Sequence, residues 1–579
     1  MTSLASTSSS PVQIDSRPAD YIVIGGGSAG CVLAARLSED PAVQVCLLEA
    51  GAPDHSALIH CPAGLPVVMP YPIFNWAFKT LPNKGLNGRI GYQPRGKALG
   101  GSSSINGMMY IRGDRSDYDR WAAAGNAGWS YAEVLPYFRK AENNEFWGNS
   151  EYHGAGGPLN VADVMEPSVY ARAFVEAAVQ AGHRPNPDFN GAFLEGVGLT
   201  QVTQKNGERC STAKGYLTPN LSRPNLRVLT RARTTRIVME GRRAVAVDYV
   251  DAQGVARRVT ARREVLLSAG ALQSPQILML SGVGPADTLR KHGIPLVLDA
   301  PGVGQNLQDH IDLVHTYEGG ASRGLIGLSL TSAWGLLKGL VQWVRHRRGL
   351  LTTNFAEGNG FLRTRPEETV PDLQVVFVVA KIMDHGRKIL FGNGYSVHAG
   401  MLRPRSRGSV SIASADPMAP PLIDTNFLSE QSDVDCLVRG FKSVRQIMRQ
   451  PALARFGGRE SKSSAWARTD AEIEQLVRAN ADCAYHPVGT CRMGNGADDV
   501  VDAQLRVKGV TGLRVVDASV MPDIVSGNTN APTVMIAEKA ADMIKAAAEL
   551  AARGDALATP DGEAPSAVDP QARLSVVAA

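Results

Sequence analysis

Four apolar residues in a row, Tyr21 to Ile24, stand near the start of the chain. A run that short, bounded by glycine, reads as a strand covered on both faces. It passes into Gly25, Gly27 and Gly30, spaced G-x-G-x-x-G, and then into Ala29 to Leu37, a string of good helix formers. A second apolar run, Val43 to Leu48, ends in Glu49. Strand, glycine turn, helix and strand make the opening of a parallel α/β unit. Further along, Leu226 to Val238 and Ala244 to Val250 alternate about a turn at Gly241 and predict antiparallel strands. The stretch from Glu264 to Pro285 predicts a strand, a glycine turn and a helix with Ser274 as its cap, Pro275 at its first position and Gly282 just past its end. Phe377 to Lys381, Tyr395 to Leu402 and Ser406 to Ile412 read as strands. Leu513 to Ser519 reads as a buried strand that ends in the carboxylate of Asp517, and Pro532 to about Ala552 as a long helix. Pro53 to Pro94 has little periodicity and reads as irregular.

The glycine spacing carries the first chemistry. The three glycines serve a tight turn, a close approach of backbone to a pyrophosphate, and the packing of helix on strand. The helix start then offers unpaired N–H groups and a positive dipole end to phosphate. Glu49 stands nineteen residues past Gly30, where a carboxylate accepts hydrogen bonds from an adenosine ribose and repels a 2′-phosphate. FAD or NAD is therefore favoured over NADP.

Composition narrows the class. With 579 residues, 44% of them hydrophobic and 20% charged, the chain is an ordinary globular protein of two domains or one elaborated domain. A formal net charge of +5 gives no footprint for nucleic acid. Cys31, Cys46, Cys61, Cys210, Cys436, Cys483 and Cys491 are scattered and odd in number, so they suggest free thiols rather than a disulfide framework or a metal site. The start, Met1 to Ser10, lacks the basic and apolar regions of a signal peptide, which points to the cytoplasm. Residues 1–17 and 553–579 read as disordered tails. Leu325 to Leu350 is apolar and ends in Arg345, His346, Arg347 and Arg348. Two readings stand: a helix covering a core, or one resting on the surface of the inner membrane.

Pro94 to Gly113 sets a Gly-Gly-Ser-Ser-Ser run beside Arg95 and Lys97. By itself it is either a second phosphate-contacting turn or a surface loop. It closely resembles the first signature of the glucose–methanol–choline (GMC) oxidoreductases, which are FAD enzymes, and Glu264 to Pro285 resembles the second. The resemblance implies a Rossmann-like FAD-binding domain, discontinuous over 18–310 and 482–550, with a sheet-based substrate domain at 311–481 roofing the flavin. It implies FAD contacts at Gly25, Gly27, Ser28, Gly30, Glu49, Ala50, Leu99, Gly101, Ser102, Asn106, Gly107, Thr234, Asp517, Ala518, Asn528, Asn530 and Thr533. Where some relatives join flavin covalently through histidine, this chain has Ile105, which makes no such bond and implies a non-covalent flavin.

The candidate catalytic block lies near the C-terminus. A lone histidine is more often structural than catalytic, but His486 sits in a His-Pro-x-Gly-Thr block, which in the GMC family carries the catalytic histidine. Asn528, in Ser526 to Thr533, matches the family's second catalytic position; read alone it is equally a capping asparagine. The resemblance implies oxidation of a primary alcohol to its aldehyde by hydride transfer to flavin N5, with a quinone or another acceptor taking the electrons and no metal involved. An alcohol oxidase using O₂, or a lyase or photodecarboxylase on the same scaffold, are the alternatives it leaves.

Overall fold

Each expected strand of the N-terminal unit is buried because both faces of its sheet are covered. The structure, a computed structural model, describes residues 12–319, 324–326, 330–388 and 391–552. The strand Ala19–Ile24 lies between Val45–Glu49 and the long strand Ala256–Leu267. Leu226–Thr230 pairs in parallel on the far side of Val45–Glu49. Ala256–Leu267 serves two partners in two directions. Its second half runs parallel to Ala19–Ile24 and to Leu513–Val515, while its first half pairs antiparallel with Arg243–Val250. A register break between Ala261 and Glu264 separates the two modes. Arg233–Glu240 completes the antiparallel ribbon around Gly241, whose φ is +56°.

A second, wholly antiparallel sheet runs in the order Arg459–Glu460, Ile311–Glu318, Gly394–Met401, Leu373–Val378, Ala356–Leu362 and Gly196–Leu199. One face packs on the helices Val169–Gln180 and Gln431–Met448 through a core that holds Tyr170, Phe174, Val375, Phe377, Val397, Ala399, Val444 and Ile447. The period-2 alternation of a strand turns the neighbouring residues to the opposite face, and that face bears the site described below. Two-residue Asp482–Cys483 pairs with the near end of Ile311–Glu318 and ties the C-terminal block to this sheet.

Several local expectations are corrected. The run Leu226 to Val238 is two strands, split at Arg231, whose φ of +53° turns the chain from a parallel into an antiparallel partner. The strand expected at Phe377 to Lys381 spans Leu373–Val378, that expected from Ser406 is confined to Ser409–Ser411, and the last helix begins at Asn530. The irregular stretch contains a hairpin, Phe78–Asn83 with Arg89–Gln93. Within the expected N-terminal tail, Gln13–Ile14 pairs in parallel with Arg257 and Arg258. Residues 1–11 and the expected tail 553–579 lie outside the described residues. All seven cysteines are free, six of them buried and Cys61 half-buried. The described residues through Ala541 make one compact unit; those from Asp542, the last turns of the helix Asn530–Ala552, make a second. Among the described residues no helix is long and apolar enough to cross a membrane.

Candidate active site

The glycine turn after Ala19–Ile24 is a contact surface made of backbone. Gly25 has φ +97°, and a Cβ there would lie 2.5 Å from the Ser268 carbonyl oxygen at the end of the neighbouring strand. A Cβ on Gly30 would lie 1.8 Å from the Gly25 oxygen, so the helix can seat on the strand only with glycine there. The Pro94 to Gly113 stretch is no surface loop. The Gly100 amide donates to the Gly26 oxygen at 2.7 Å, and a Cβ on Gly101 (φ +52°) would lie 2.7 Å from Gly27 Cα. The two glycine motifs thus lie face to face. Ser28 at the start of the first helix donates to Asn530 Oδ1 at 2.8 Å, which brings a second helix start to the same place.

These segments wall one long cavity. Gly25, Gly27, Ser28, Glu49, Ala50, Gly101, Ser102, Asn106, Gly107, Thr234, His486, Asp517, Ala518, Asn528, Asn530 and Thr533 all line it. Two expected contact residues do not. Gly30 is spent on helix-to-strand packing, and Leu99 is buried behind the turn, with its Cδ2 3.1 Å from where a Cβ of Gly26 would sit. Glu49 differs from expectation in its partners: its two oxygens accept the backbone N–H groups of Gly26 (2.8 Å) and Gly51 (2.6 Å), and burial pushes its carboxyl up to about 7. Asp517 is held at the end of its strand by N–H groups of Gly270 (2.8 Å) and Ser519 (2.8 Å) and by the Ser274 hydroxyl (2.6 Å). Ser274 is therefore a clasp for Asp517, and the helix Ser274–Leu280 starts without a side-chain cap.

At the other end, one face of the second sheet forms the wall. Asp312 lies on Ile311–Glu318 with His310 immediately before that strand, His398 and Gly400 on Gly394–Met401, and Gln374, Val376 and Val378 on Leu373–Val378. His486 is brought to this face by the Asp482–Cys483 pairing, an Ala484 amide donating to the His310 oxygen (2.8 Å), and its own amide donating to Asp309 Oδ1 (2.7 Å). Tyr485, immediately before it, holds φ +72°, a conformation rare for a bulky residue and kept only where surroundings enforce it.

The protons of this group can be assigned from one carbonyl. His310 Nε2 lies 3.1 Å from the Leu402 oxygen, which only accepts, so Nε2 carries the hydrogen. Burial holds His310 down to about 4, so the ring is neutral and its Nδ1 is a bare acceptor. His486 Nδ1, 3.0 Å away, is then the donor. Burial first, then the neighbouring His310 and Arg95, hold His486 well below the ordinary histidine range. Its Nε2 therefore presents a lone pair, met at 3.0 Å by the amide of Asn528. Asn528 Oδ1 in turn lies 3.5 Å from Gln374 Nε2. The sequence reading missed His310, Gln374 and His398. The signal for His310 was present, since it shares a strand face with Asp312, but nothing in the local pattern says what that face meets.

The wall fits a dinucleotide flavin. The crossing glycine turns and two helix starts could take a pyrophosphate; Glu49 and Thr234 stand at one end and His486 and Asn528 at the other. The Ser268 hydroxyl, on the wall beside Gly25, is buried with no partner, an unmet polar atom that a polar ligand would satisfy.

Family models described as GMC oxidoreductase match residues 19–312 and 404–537. The chain is 47% identical over 526 residues to the alcohol dehydrogenase [acceptor] of Pseudomonas putida, covering 91% of this chain and 95% of that one. It is 46% identical over 537 residues to the mitochondrial choline dehydrogenase of Homo sapiens, covering 91% and 89%. Among solved structures, a formate oxidase variant of Aspergillus oryzae, described for its effect on FAD modification, superposes with a TM-score of 0.86 at 27% identity, covering 92% of this chain and 99% of that one.

Proposed function

The chain belongs to the GMC oxidoreductase family and is an FAD enzyme; from that premise we propose that it oxidises a primary alcohol to its aldehyde and hands the electrons to a quinone or a similar carrier. The observation that carries the reading is the His486–Asn528 pair, 3.0 Å apart on the wall of the glycine-lined cavity. When bound, FAD supplies the acceptor for the hydride that leaves the carbinol carbon. His486, neutral, takes the hydroxyl proton on Nε2 once the alcohol displaces the Asn528 amide from that lone pair. The Asn528 amide, which does not titrate, donates to the alcohol oxygen and fixes the direction of the carbon. His310 keeps the other imidazole nitrogen protonated, so the base always presents the same atom.

The residues around Gly25, Gly101, Thr234 and Asp517, with the helix start at Asn530, line the cavity and would hold FAD. Buried Ile105 on the cavity wall supports a non-covalent flavin; yellow colour remaining in an acid-precipitated pellet would contradict it. The discontinuous cofactor half is supported by the first sheet, whose strands come from both ends of the chain. The substrate half then also takes Gly196–Leu199 and Asp482–Cys483. Peripheral membrane contact is supported by the helix Leu330–His346, which exposes Leu337, Leu340, Val341 and Val344 along one stripe before its basic end. Failure to sediment with anionic liposomes at low salt would remove that part.

The deciding experiment is anaerobic mixing of the FAD-loaded enzyme with a panel of primary alcohols. Bleaching of the visible flavin band is expected. An oxidised spectrum with every alcohol overturns the proposed reaction, and turnover with O₂ alone as fast as with a quinone or phenazine dye makes the protein an oxidase.

A further inference from the structure

Behind the wall segment that joins the two ends of the cavity lies a cation without a counter-ion. Gln204–Lys205 and Glu208–Arg209 form a short antiparallel ladder, and the alternation of a strand turns neighbouring side chains to opposite sides. Glu208, half-buried, pairs with Lys214 and Arg347. Arg209 is fully buried. Its guanidinium donates only to neutral acceptors: Nε to the Ile59 oxygen (2.9 Å), and Nη1 to the backbone oxygens of Ser103 (3.2 Å) and Asn106 (2.7 Å) and to Asn106 Oδ1 (2.8 Å). Nη2 is buried with no partner. Among the described residues no carboxylate pairs with Arg209. Burial pulls the guanidinium down to about 9, so it keeps its charge near neutral pH, and a buried charge left unpaired is costly.

That charge reaches the cavity through one side chain. Asn106 Oδ1 accepts both the guanidinium and the Met108 amide (3.0 Å). Both groups only donate, which fixes the oxygen on their side and leaves the Nδ2 amino group on the other. Nδ2 has no partner among the described residues, and Asn106 lines the cavity. Its position on the wall gives this meaning. Gly101 and Ser102, just before it, belong to the glycine end; Met109, just after it, belongs to the sheet end, as does Phe355, whose neighbour Asn354 donates to the Gly107 oxygen (2.9 Å). Residues 105–107 therefore span the passage from the glycine turns to the catalytic pair, the stretch that a flavin ring would face.

We propose that Arg209 is a positioning residue that sets the reduction potential of the bound flavin, holding the Asn106 amide towards the ring and placing a positive charge behind it, so that the reduced form is favoured. On taking up two electrons and one proton FAD becomes FADH⁻ and gains one negative charge. A fixed charge and a fixed N–H donor in a water-excluded wall act on that change with little screening. The inference rests on the FAD reading above and is independent of which alcohol is oxidised.

The test is equilibrium reduction of the full-length FAD-loaded enzyme by dithionite beside a reference dye of known potential, with FAD retention read separately as flavin fluorescence released on dilution. Arg209→Gln keeps a donor for the same oxygens but no charge. It should weaken reduced FAD against oxidised FAD at least tenfold, a fall in the two-electron potential of about 30 mV or more. Arg209→Lys, which keeps the charge, should recover at least half of that fall. Asn106→Ala leaves the buried guanidinium in place and should shift the ratio about threefold, the worth of one hydrogen bond; it decides the matter if Arg209→Gln does not fold. An unchanged potential in either variant with FAD bound overturns the proposal. So does poorer retention of FAD at an unchanged potential, which would make Arg209 a counter-ion of the pyrophosphate. A fall in Arg209→Lys as deep as in Arg209→Gln overturns the role of charge. No alcohol enters the assay, so its failure is separate from a failure of alcohol oxidation.

Discussion

The two ends of the cavity are built on opposite principles. At the glycine end the contact surface is backbone, and its residues are defined by what they lack: a Cβ on Gly25 or Gly101 would fall within 2.7 Å of another backbone atom, and behind them one on Gly30 would meet the Gly25 oxygen. At the sheet end the surface is side chains, drawn from three strands and a C-terminal segment, and its residues are defined by what they carry. The first end tolerates no added atom at Gly25 or Gly101 but asks little of the rest of the chain. The second depends on strand register, since a slip of one residue would turn His310 and Asp312 into the core and bring Ile311 and Leu313 to the cavity.

That contrast can be broken at chosen points. The largest effect is expected from Gly30→Val, whose added Cβ meets the Gly25 oxygen at 1.8 Å. Helix and turn must separate, and the purified protein should contain no flavin, read as the ratio of visible to ultraviolet absorbance. A yellow, full-occupancy variant would show that the turn is not rigid. Next comes His486→Ala, which should bind FAD with an unaltered spectrum yet lose about 10²–10⁴ in the rate of flavin reduction, the usual worth of general acid–base help. Wild-type speed with FAD fully bound would end the catalytic assignment. Asn528→Ala should lose less, about tenfold by the removal of one orienting hydrogen bond, measured in the same stopped-flow assay.

The smallest effect on activity, and the sharpest comparison, lies on a single strand. His315 points into the core face, fully buried, with neither ring nitrogen hydrogen-bonded and its ring 4.4 Å from Phe441. Burial, aided by Arg445, holds it down to about 3. Because the unfolded chain takes up the proton near pH 6.5 and the folded one does not, His315 costs stability progressively as pH falls from 6.5 towards 3. His315→Phe should therefore leave kcat near wild type, while its stability advantage over wild type grows by about 2 kcal/mol between pH 7.5 and pH 5 in denaturant melts. A constant gap across that range would mean that the ring titrates normally in the fold.

How legible each end was in the sequence follows from the same contrast. The glycine turn, its helix and Glu49 are local, so spacing alone predicts them. Asn106, Thr234, Asp517 and Asn530 are marked only by family resemblance, and the structure gathers them on one wall. His310, Gln374 and His398 escaped because their meaning lies in which strands are neighbours, information that the pattern along one strand does not contain. Leu373–Val378 shows the related difficulty of boundaries. It is buried on both faces, one by the core and one by the cavity, so alternation fails to mark its start, and Gln374 at its polar end reads as loop. The split at Arg231 was hidden for another reason: a non-glycine residue at positive φ leaves no compositional mark.

The first sheet sets a clock on biosynthesis. Its strand Ala19–Ile24 leaves the ribosome early, but the strand that shares its neighbour, Leu513–Val515, is almost the last to appear. At typical synthesis rates of about 5–20 residues per second the nascent chain waits roughly 25 to 100 seconds before that sheet can be completed. The clasp that joins the first helix to the last, Arg36 to Glu538 at 2.8 Å with Tyr216 at 2.7 Å, forms only after that wait. From the moment Ala256–Leu267 has emerged until Leu513–Val515 follows it, the end Val265–Leu267 stands as an open parallel edge, the kind of edge on which a foreign strand can pair.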